Sequence, residues 1–378
     1  MRFRAAALAL LLVVSAVGAV AVPAATQEGE GEAYSGAFVE FDTTGAVVSD
    51  YAVDGSVVVE NVTMQSASEA EGGLGAGLSS VTSLDGSGLS IDSQAGVAVV
   101  SSESGAKMEA HDNQRGVVQI SAGGESQVVH ASVDGEAESE SDSRVVVTND
   151  DGTQGTFLVV GDGEATVNEE GDVVARVDSD SQLVYRQYNE ERSDADETQE
   201  RMIQNGTATA EVYVHSAAES GDEAESEDTS VVEYDQDTDV EVQERSESRI
   251  NMTAARTESQ GKVIITTVSD ETFGSADSTE VFVDGEAAAE ADSYGEVQQA
   301  TRDGDNSRYL VRQSSSAEAA TDVVVGVNHF SERQVSMQSD GDTDDDDGGL
   351  SDADGPGFGA LATIAALGGA LIALRRQA

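Results

Sequence analysis

"SRVVVTNDDGTQGTFLVVGDGEATVNEEGDVVARVDSDSQLVYRQY", residues 143–188, decides the fold. Its valine-rich runs at 143–149, 155–161, 172–178 and 182–188 alternate apolar and polar side chains, the period of a half-buried strand. Asp151-Gly152 and Asp162-Gly163 stand between the runs. Such dipeptides supply the positive φ angles of tight hairpin turns. The same grammar recurs along the chain in "SVVVENVTM" (56–64), "GVAVVSS" (96–102), "GVVQISA" (116–122), "AEVYVHS" (210–216), "KVIITTV" (262–268), "EVFVDGE" (280–286), "RYLVRQS" (308–314) and "TDVVVGV" (321–327). Further Asp-Gly pairs lie at Asp54-Gly55, Asp85-Gly86, Asp134-Gly135, Asp284-Gly285 and Asp303-Gly304. The pattern predicts an all-β chain with antiparallel pairing, built as a β-sandwich or as elongated β-solenoid-like modules. Only 189–204, "NEERSDADETQERMIQ", has weak helical character.

An internal echo organises this body. "VDGEAESESDS" (133–143) matches "VDGEAAAEADS" (283–293), and "NDDGTQGTFLVV" (149–160) matches "TRDGDNSRYLVR" (301–312). A weaker copy, "GDEAESEDTSVVEY", begins at Gly221. The echo predicts a duplicated β unit, or three units if the weak copy counts. The expected division is a β module with a glycine-rich segment at 28–105, repeat units at 106–190 and 261–338, and a weaker unit at 191–260. Residues 339–355 are an expected acidic disordered spacer, rich in aspartate.

Charge narrows the setting. The chain carries 73 acidic against 19 basic residues, a formal net charge of -54. Lys107 and Lys262 are its only lysines. Such an excess self-repels in dilute buffer and becomes tolerable where salt screens it. Acid-rich, lysine-poor composition is that of proteins from extreme halophiles, and here acid is interleaved with valine throughout. With no basic patch to release counterions, nucleic acid is excluded as a partner. The absence of cysteine excludes disulfides, thiol nucleophiles and thiolate metal sites.

Both ends are apolar. Arg2 and Arg4 precede an apolar stretch from Ala5 to Ala21, followed by small residues up to Ala25. Residues 1–25 therefore predict a secretory signal peptide, cut by signal peptidase. At the other end Pro356-Gly357-Phe358 precedes an apolar stretch to Leu374, closed by Arg375-Arg376. The stretch is near the shortest that spans a bilayer as a helix, about 17–25 residues, and the arginines would lie on the cytoplasmic side. Aspartate-rich spacer, Pro-Gly-Phe, short hydrophobic helix and basic end together resemble the PGF-CTERM sorting signal of archaeal surface proteins. The resemblance covers 356–378 and its spacer, not the body. It implies recognition by archaeosortase A, a membrane transpeptidase that removes the tail near Pro356, Gly357 and Phe358. A prenyl-type lipid then takes the tail's place.

Chemistry is otherwise sparse. His111, His130, His215 and His329 are scattered, with no metal-binding spacing. No G-x-S-x-G elbow, Walker loop or HExxH occurs. Asp340, Asp342 and Asp344 alternate as calcium ligands do, but the glycine and distal glutamate of an EF-hand are missing. No catalytic, cofactor or metal site is expected. Three sequons make Asn61, Asn205 and Asn251 candidate glycosylation sites, with Asn205, in a polar stretch before a strand, the best placed. The sequence thus predicts a non-enzymatic exported surface protein, anchored to the plasma membrane, with a structural or adhesive role beside envelope or S-layer components. The alternative is a surface binding module for a sugar, cation or small ligand.

Overall fold

The computed structural model describes residues 31–70, 77–86, 88–94, 96–189, 191–215, 229–246, 248–269, 279–314 and 320–339. The expected signal peptide, the acidic stretch from 340 and the Pro356-Gly357-Phe358 tail lie outside the described residues.

The chain opens with an antiparallel meander of β1 (Glu32–Ser35), β2 (Val39–Thr44), β3 (Val47–Val53) and β4 (Ser56–Ser66). After one helical turn, α1 (Ala67–Ala70), a second meander runs through β5 (Leu89–Gln94), β6 (Val97–Ser102), β7 (Lys107–His111) and β8 (Val118–Ser121). Next come β9 (Gln127–Val133), β10 (Gly135–Ser141), β11 (Arg144–Asn149) and β12 (Gln154–Val160). They are followed by β13 (Gly163–Val167), β14 (Val173–Val177) and β15 (Gln182–Tyr188). Helix α2 (Asp194–Gln204) leads into β16 (Ala208–Val214), β17 (Thr229–Glu233), β18 (Thr238–Ser246), β19 (Arg249–Arg256) and β20 (Gln260–Ser269). The last elements are β21 (Thr279–Val283), β22 (Glu286–Ala287), β23 (Ala289–Glu290), α3 (Tyr294–Asp303), β24 (Arg308–Gln313), β25 (Ala320–His329) and β26 (Glu332–Ser339).

Hydrogen bonding orders these strands into four sheets. Sheet I runs β1-β2-β3-β4-β9-β14-β13 and sheet II runs β10-β11-β12-β15-β8-β7-β6-β5. Sheet III runs β17-β16-β20-β25-β24-β23 and sheet IV runs β18-β19-β26-β21-β22. Sheets I and II close one sandwich over Val39, Phe41, Tyr51, Met108, Ile120 and Phe157. Sheets III and IV close another over Val212, Ile250, Met252, Ile264, Val325 and Met337. The architecture is all-β sandwich rather than solenoid, and the described residues fall in one compact unit.

A third core joins the sandwiches. The outer face of sheet II brings Leu158 and Val184, sheet III brings Tyr213, Ile265 and Val324, and Met202, Ile203 and Val297 come from α2 and α3. Central strands are therefore buried on both faces. Phe157 and Val159 of β12 enter the first sandwich, while Leu158 and Val160 enter the junction. Two-sided burial explains the near-continuous apolar runs "TFLVV" and "VIITTV".

The expected boundaries run through these sheets. β6 pairs with β7 across residue 105, and β16 pairs with β20 across residue 260. The β1–β4 meander joins the rest of sheet I through the β4–β9 ladder. Pairing is mostly antiparallel, but sheet III contains two parallel ladders, β16–β20 and β23–β24. The second is made possible by α3, which carries the chain back to the start of the sheet.

The Asp-Gly turns take several forms. Asp54-Gly55 and Asp284-Gly285 are hairpin turns with both φ angles positive, joining β3 to β4 and β21 to β22. Asp134-Gly135 and Asp162-Gly163 instead carry the chain between sheets I and II. At Gly135 a side chain would collide with the Thr148 carbonyl, 2.2 Å from an ideal Cβ. Asp303-Gly304 ends α3. The echo at 133 and 283 also diverges: at the same offset, 144–149 form β11 whereas 294–303 form α3.

Helix α2, within the weakly helical 189–204, begins with a capping box. Ser193 caps Asp196 while the Asp196 carboxylate accepts from the Ser193 backbone N–H. Helix α3 lies directly on sheet III because Gly326 faces it. A Cβ on Gly326 would sit 2.5 Å from the Val297 carbonyl oxygen. Gly326→Ala is expected to lift α3 and cost about 1–3 kcal/mol, as overpacking does. Chemical denaturation monitored by circular dichroism measures that loss.

Candidate functional site

The most concentrated chemistry among the described residues lies inside the junction of sheets II and III. On β15 the residues facing sheet III are Val184, Arg186 and Tyr188; on β16 the residues facing back are Glu211 and Tyr213. Alternation along two strands thus sets an arginine opposite a glutamate. Arg186 Nη2 donates to Glu211 Oε1 at 2.5 Å, with side chains 0% and 2% exposed. Glu211 Oε2 accepts from Tyr234 Oη at 2.6 Å and Tyr213 Oη at 3.0 Å. The carboxylate is therefore held by one cation and two phenols, the satisfaction a buried charge requires.

A second arginine enters from the loop between β7 and β8. Arg115 Nη2 lies 3.4 Å from Asp196 of α2 and 3.6 Å from Asp322 of β25. It also reaches Ser314 Oγ at 3.5 Å. Asn113 Oδ1 accepts the Arg115 backbone N–H, which fixes the loop. Asp322 accepts from Thr267 at 2.8 Å and from Gln199 at 2.7 Å, so α2, β20 and β25 meet on one carboxylate. The Tyr188 ring lies beneath both guanidinium groups, at 5.0 Å from Arg115 and 5.8 Å from Arg186. That face-on contact offsets part of the cost of two buried cations near each other. Tyr188 Oη donates to Glu200 at 2.6 Å, and Arg192 holds the same carboxylate at 2.9 Å.

Neutral amides continue the seam. Gln119 Nε2 donates to the Glu233 carbonyl at 2.9 Å, and Gln182 Nε2 donates to the Tyr234 carbonyl at 3.0 Å, both from sheet II to the β17 edge of sheet III. Chemically, the arrangement is a cross-brace. Each carboxylate is occupied by arginine, hydroxyl or amide donors supplied from another element.

The histidines are dispersed. His111 on β7 meets Gln119 at 2.8 Å, and burial pushes its pKa down, favouring the neutral ring. His130 on β9 pairs with Asp172 at 3.0 Å. His215 follows β16 and tilts against Phe38 with ring centroids 4.7 Å apart, while His329 is exposed at the end of β25. Among the described residues no cluster of His, Asp or Glu is arranged to hold a metal ion, and no helix is long and apolar enough to cross a membrane.

A separate, open cleft of about 330 Å³ is lined by Gly36, Phe38, Glu40, Asp54 and their neighbours. Asp112 shapes it by accepting the backbone N–H groups of Ala37, Phe38 and Val39 at 2.7, 2.8 and 3.0 Å. Burial, then the nearby Asp112 charge, pushes the Asp54 carboxyl pKa up.

Of the sequons, Asn61 lies exposed within β4, Asn205 caps the end of α2, and Asn251 lies part-buried within β19. The tail residues Pro356, Gly357 and Phe358 are outside the described residues. The buried network was not among the predicted sites. Its signal was one formal charge inside a strand-like run: Arg186 in "QLVYRQY", Glu211 in "AEVYVHS" and Asp322 in "TDVVVGV". No protein-family model matches this chain, and no curated protein matches it either.

Two outcomes follow from the brace. Glu211→Gln strands the Arg186 charge and is expected to destabilise by about 3–5 kcal/mol. Arg186→Met combined with Glu211→Leu should lose far less, which equilibrium denaturation of the single and double variants measures. The pKa values of Tyr188, Tyr213 and Tyr234 are pushed well up, first by burial; the Glu211 charge adds to this for Tyr213 and Tyr234. Unfolded tyrosine titrates near about pH 10. Stability should therefore be unaffected by these phenols below that pH and fall above it, where the unfolded chain sheds protons the folded chain keeps. Phenolate absorbance should appear together with the loss of circular dichroism.

Proposed function

We propose that this chain is a non-enzymatic exported surface protein of a halophilic archaeon, fixed at the plasma membrane through a processed tail and serving a structural or adhesive role. The observation that carries the reading is Pro356-Gly357-Phe358, set between the aspartate-rich spacer and an apolar stretch that ends in Arg375-Arg376. A signal peptide at 1–25 supplies the route, and signal peptidase and archaeosortase A supply the processing. The spacer would hold the body clear of the membrane by charge repulsion.

The body suits such a role. Its charge is sorted, with arginines such as Arg115 and Arg186 drawn into buried pairs and acids such as Glu136, Glu138 and Glu140 left along the β10 edge. An acidic edge strand resists edge-to-edge pairing with other chains. The brace between sandwiches stiffens the body without a covalent staple. The cleft beside Asp54 and Phe38 favours a second reading, a surface binding module for a small ligand, sugar or cation.

Replacing Pro356-Gly357-Phe358 by alanines tests the anchor. The native chain should lose its apolar tail and partition with the membrane, while the variant keeps 359–378, as intact mass shows. A native mature chain that still carries Leu374 to Ala378 overturns the sorting reading.

A further inference from the structure

We propose that Asn205 is the glycan acceptor of this chain, and that Asn61 and Asn251 are not. The inference rests on the export reading above. In sequence Asn205 is set apart only by its polar surroundings, and the fold separates the three sequons physically.

In Asn61-Val62-Thr63 the tripeptide lies inside β4, hydrogen-bonded on one side to β3 and on the other to β9. Its middle residue, Val62, is buried in the first sandwich, and Thr63 is buried on the opposite face of the sheet. Gly86 covers that threonine so closely that a Cβ there would be 2.7 Å from Thr63 Cγ2. In Asn251-Met252-Thr253 the tripeptide lies inside β19, between β18 and β26. Met252 is a fully buried core residue. The Asn251 amide is itself engaged: Nδ2 donates to Glu244 at 2.7 Å and Oδ1 accepts from Ser336. Presenting either tripeptide to an enzyme means pulling an internal strand out of a sheet and an apolar side chain out of a core.

Asn205-Gly206-Thr207 demands neither. Asn205 is exposed at the end of α2, and Gly206 has no side chain to bury. Gly206 adopts φ +66°, so the tripeptide is a turn that stands off the helix end. Asn205 Oδ1 accepts the Thr207 backbone N–H at 2.9 Å, closing an Asx turn that brings the side-chain amide over the threonine. This bond draws electron density toward Oδ1, leaving Nδ2 exposed and its protons more acidic. The Lys262 ammonium donates to the Gly206 carbonyl and pins the turn to sheet III.

The reaction takes a glycan carried on a polyisoprenyl phosphate. Nδ2 of Asn205 forms a bond to sugar C1, the C1–O bond to phosphate breaks, and the lipid phosphate leaves with the electron pair. The Nδ2 proton passes to a base of the transferase.

The full chain, expressed in a halophilic archaeal host, is digested and each sequon peptide weighed, while external protease on intact cells reports export. The Asn205 peptide should carry a glycan mass that is lost in Asn205→Gln and Thr207→Val and kept in Thr207→Ser. Asn61→Gln and Asn251→Gln should leave the intact mass without a glycan-sized change. An exported chain with bare Asn205, or with glycan on the Asn61 or Asn251 peptide, overturns the inference alone. A chain inaccessible to external protease overturns the export reading and this inference with it.

Discussion

Arg186 and Glu211 face each other across sheets II and III, and the rest of the body is arranged so that they can. Taking an ion out of water costs several kcal/mol even after relaxation, and a buried pair repays this only when its geometry and remaining hydrogen bonds are good. Here Tyr213 and Tyr234 complete Glu211, and the Tyr188 ring lies under Arg186. Each of those residues sits on, or directly after, a strand whose register is set elsewhere. Tyr234 reaches the site because its backbone N–H bonds to Thr209 at the start of β16. Tyr188 closes the β12–β15 ladder opposite Gln154. A slip of one residue in β15 or β16 would turn Arg186 or Glu211 to the other face and strand its partner. The pair acts more as a constraint on register than as a source of net stability.

The same constraint accounts for α2. A short helix set between two sandwiches can meet them with apolar or with polar side chains. This one presents Asp196, Gln199 and Glu200 together with Met202 and Ile203 to the junction, and all five are buried. Asp196 serves twice, closing the capping box at Ser193 and facing Arg115. Helix start and junction charge are thus one feature. A body lean in large apolar residues spends valine on two sandwich cores and fills part of the third interface with ion-paired and hydrogen-bonded side chains. Of the basic side chains, few against 73 acids, Arg115, Arg144, Arg186 and Arg256 are drawn inward, while others such as Lys107 and Arg201 stay at the surface.

Much of the fold was legible because strand periodicity is local. "GTFLVVG" and "KVIITTV" read as strands from their own residues, and they are β12 and β20. The parallel β23–β24 pair was not legible, since α3 shows no strong signal in "YGEVQQATRD" and is seated by Gly261 and Gly326 from other strands. The junction was legible only as isolated charges in strand-like runs. Which charge meets which depends on strands separated by many residues, as Arg115 and Asp322 are.

The pentapeptide VDGEA marks the limit between the two kinds of information. It occurs at 133–137 and again at 283–287. At Asp284-Gly285 it makes a tight hairpin between β21 and β22. At Asp134-Gly135 it opens out, with Gly135 at φ +142°, and carries the chain from sheet I to sheet II. By itself the sequence determined that this is a valine-patterned, acid-coated β chain with turns at Asp-Gly, because alternation, turn chemistry and charge are properties of neighbouring residues. Tertiary structure alone decided which turns close hairpins and which cross between sheets, and which few charges are buried together. Those outcomes depend on what lies opposite each strand, and local sequence carries no record of that.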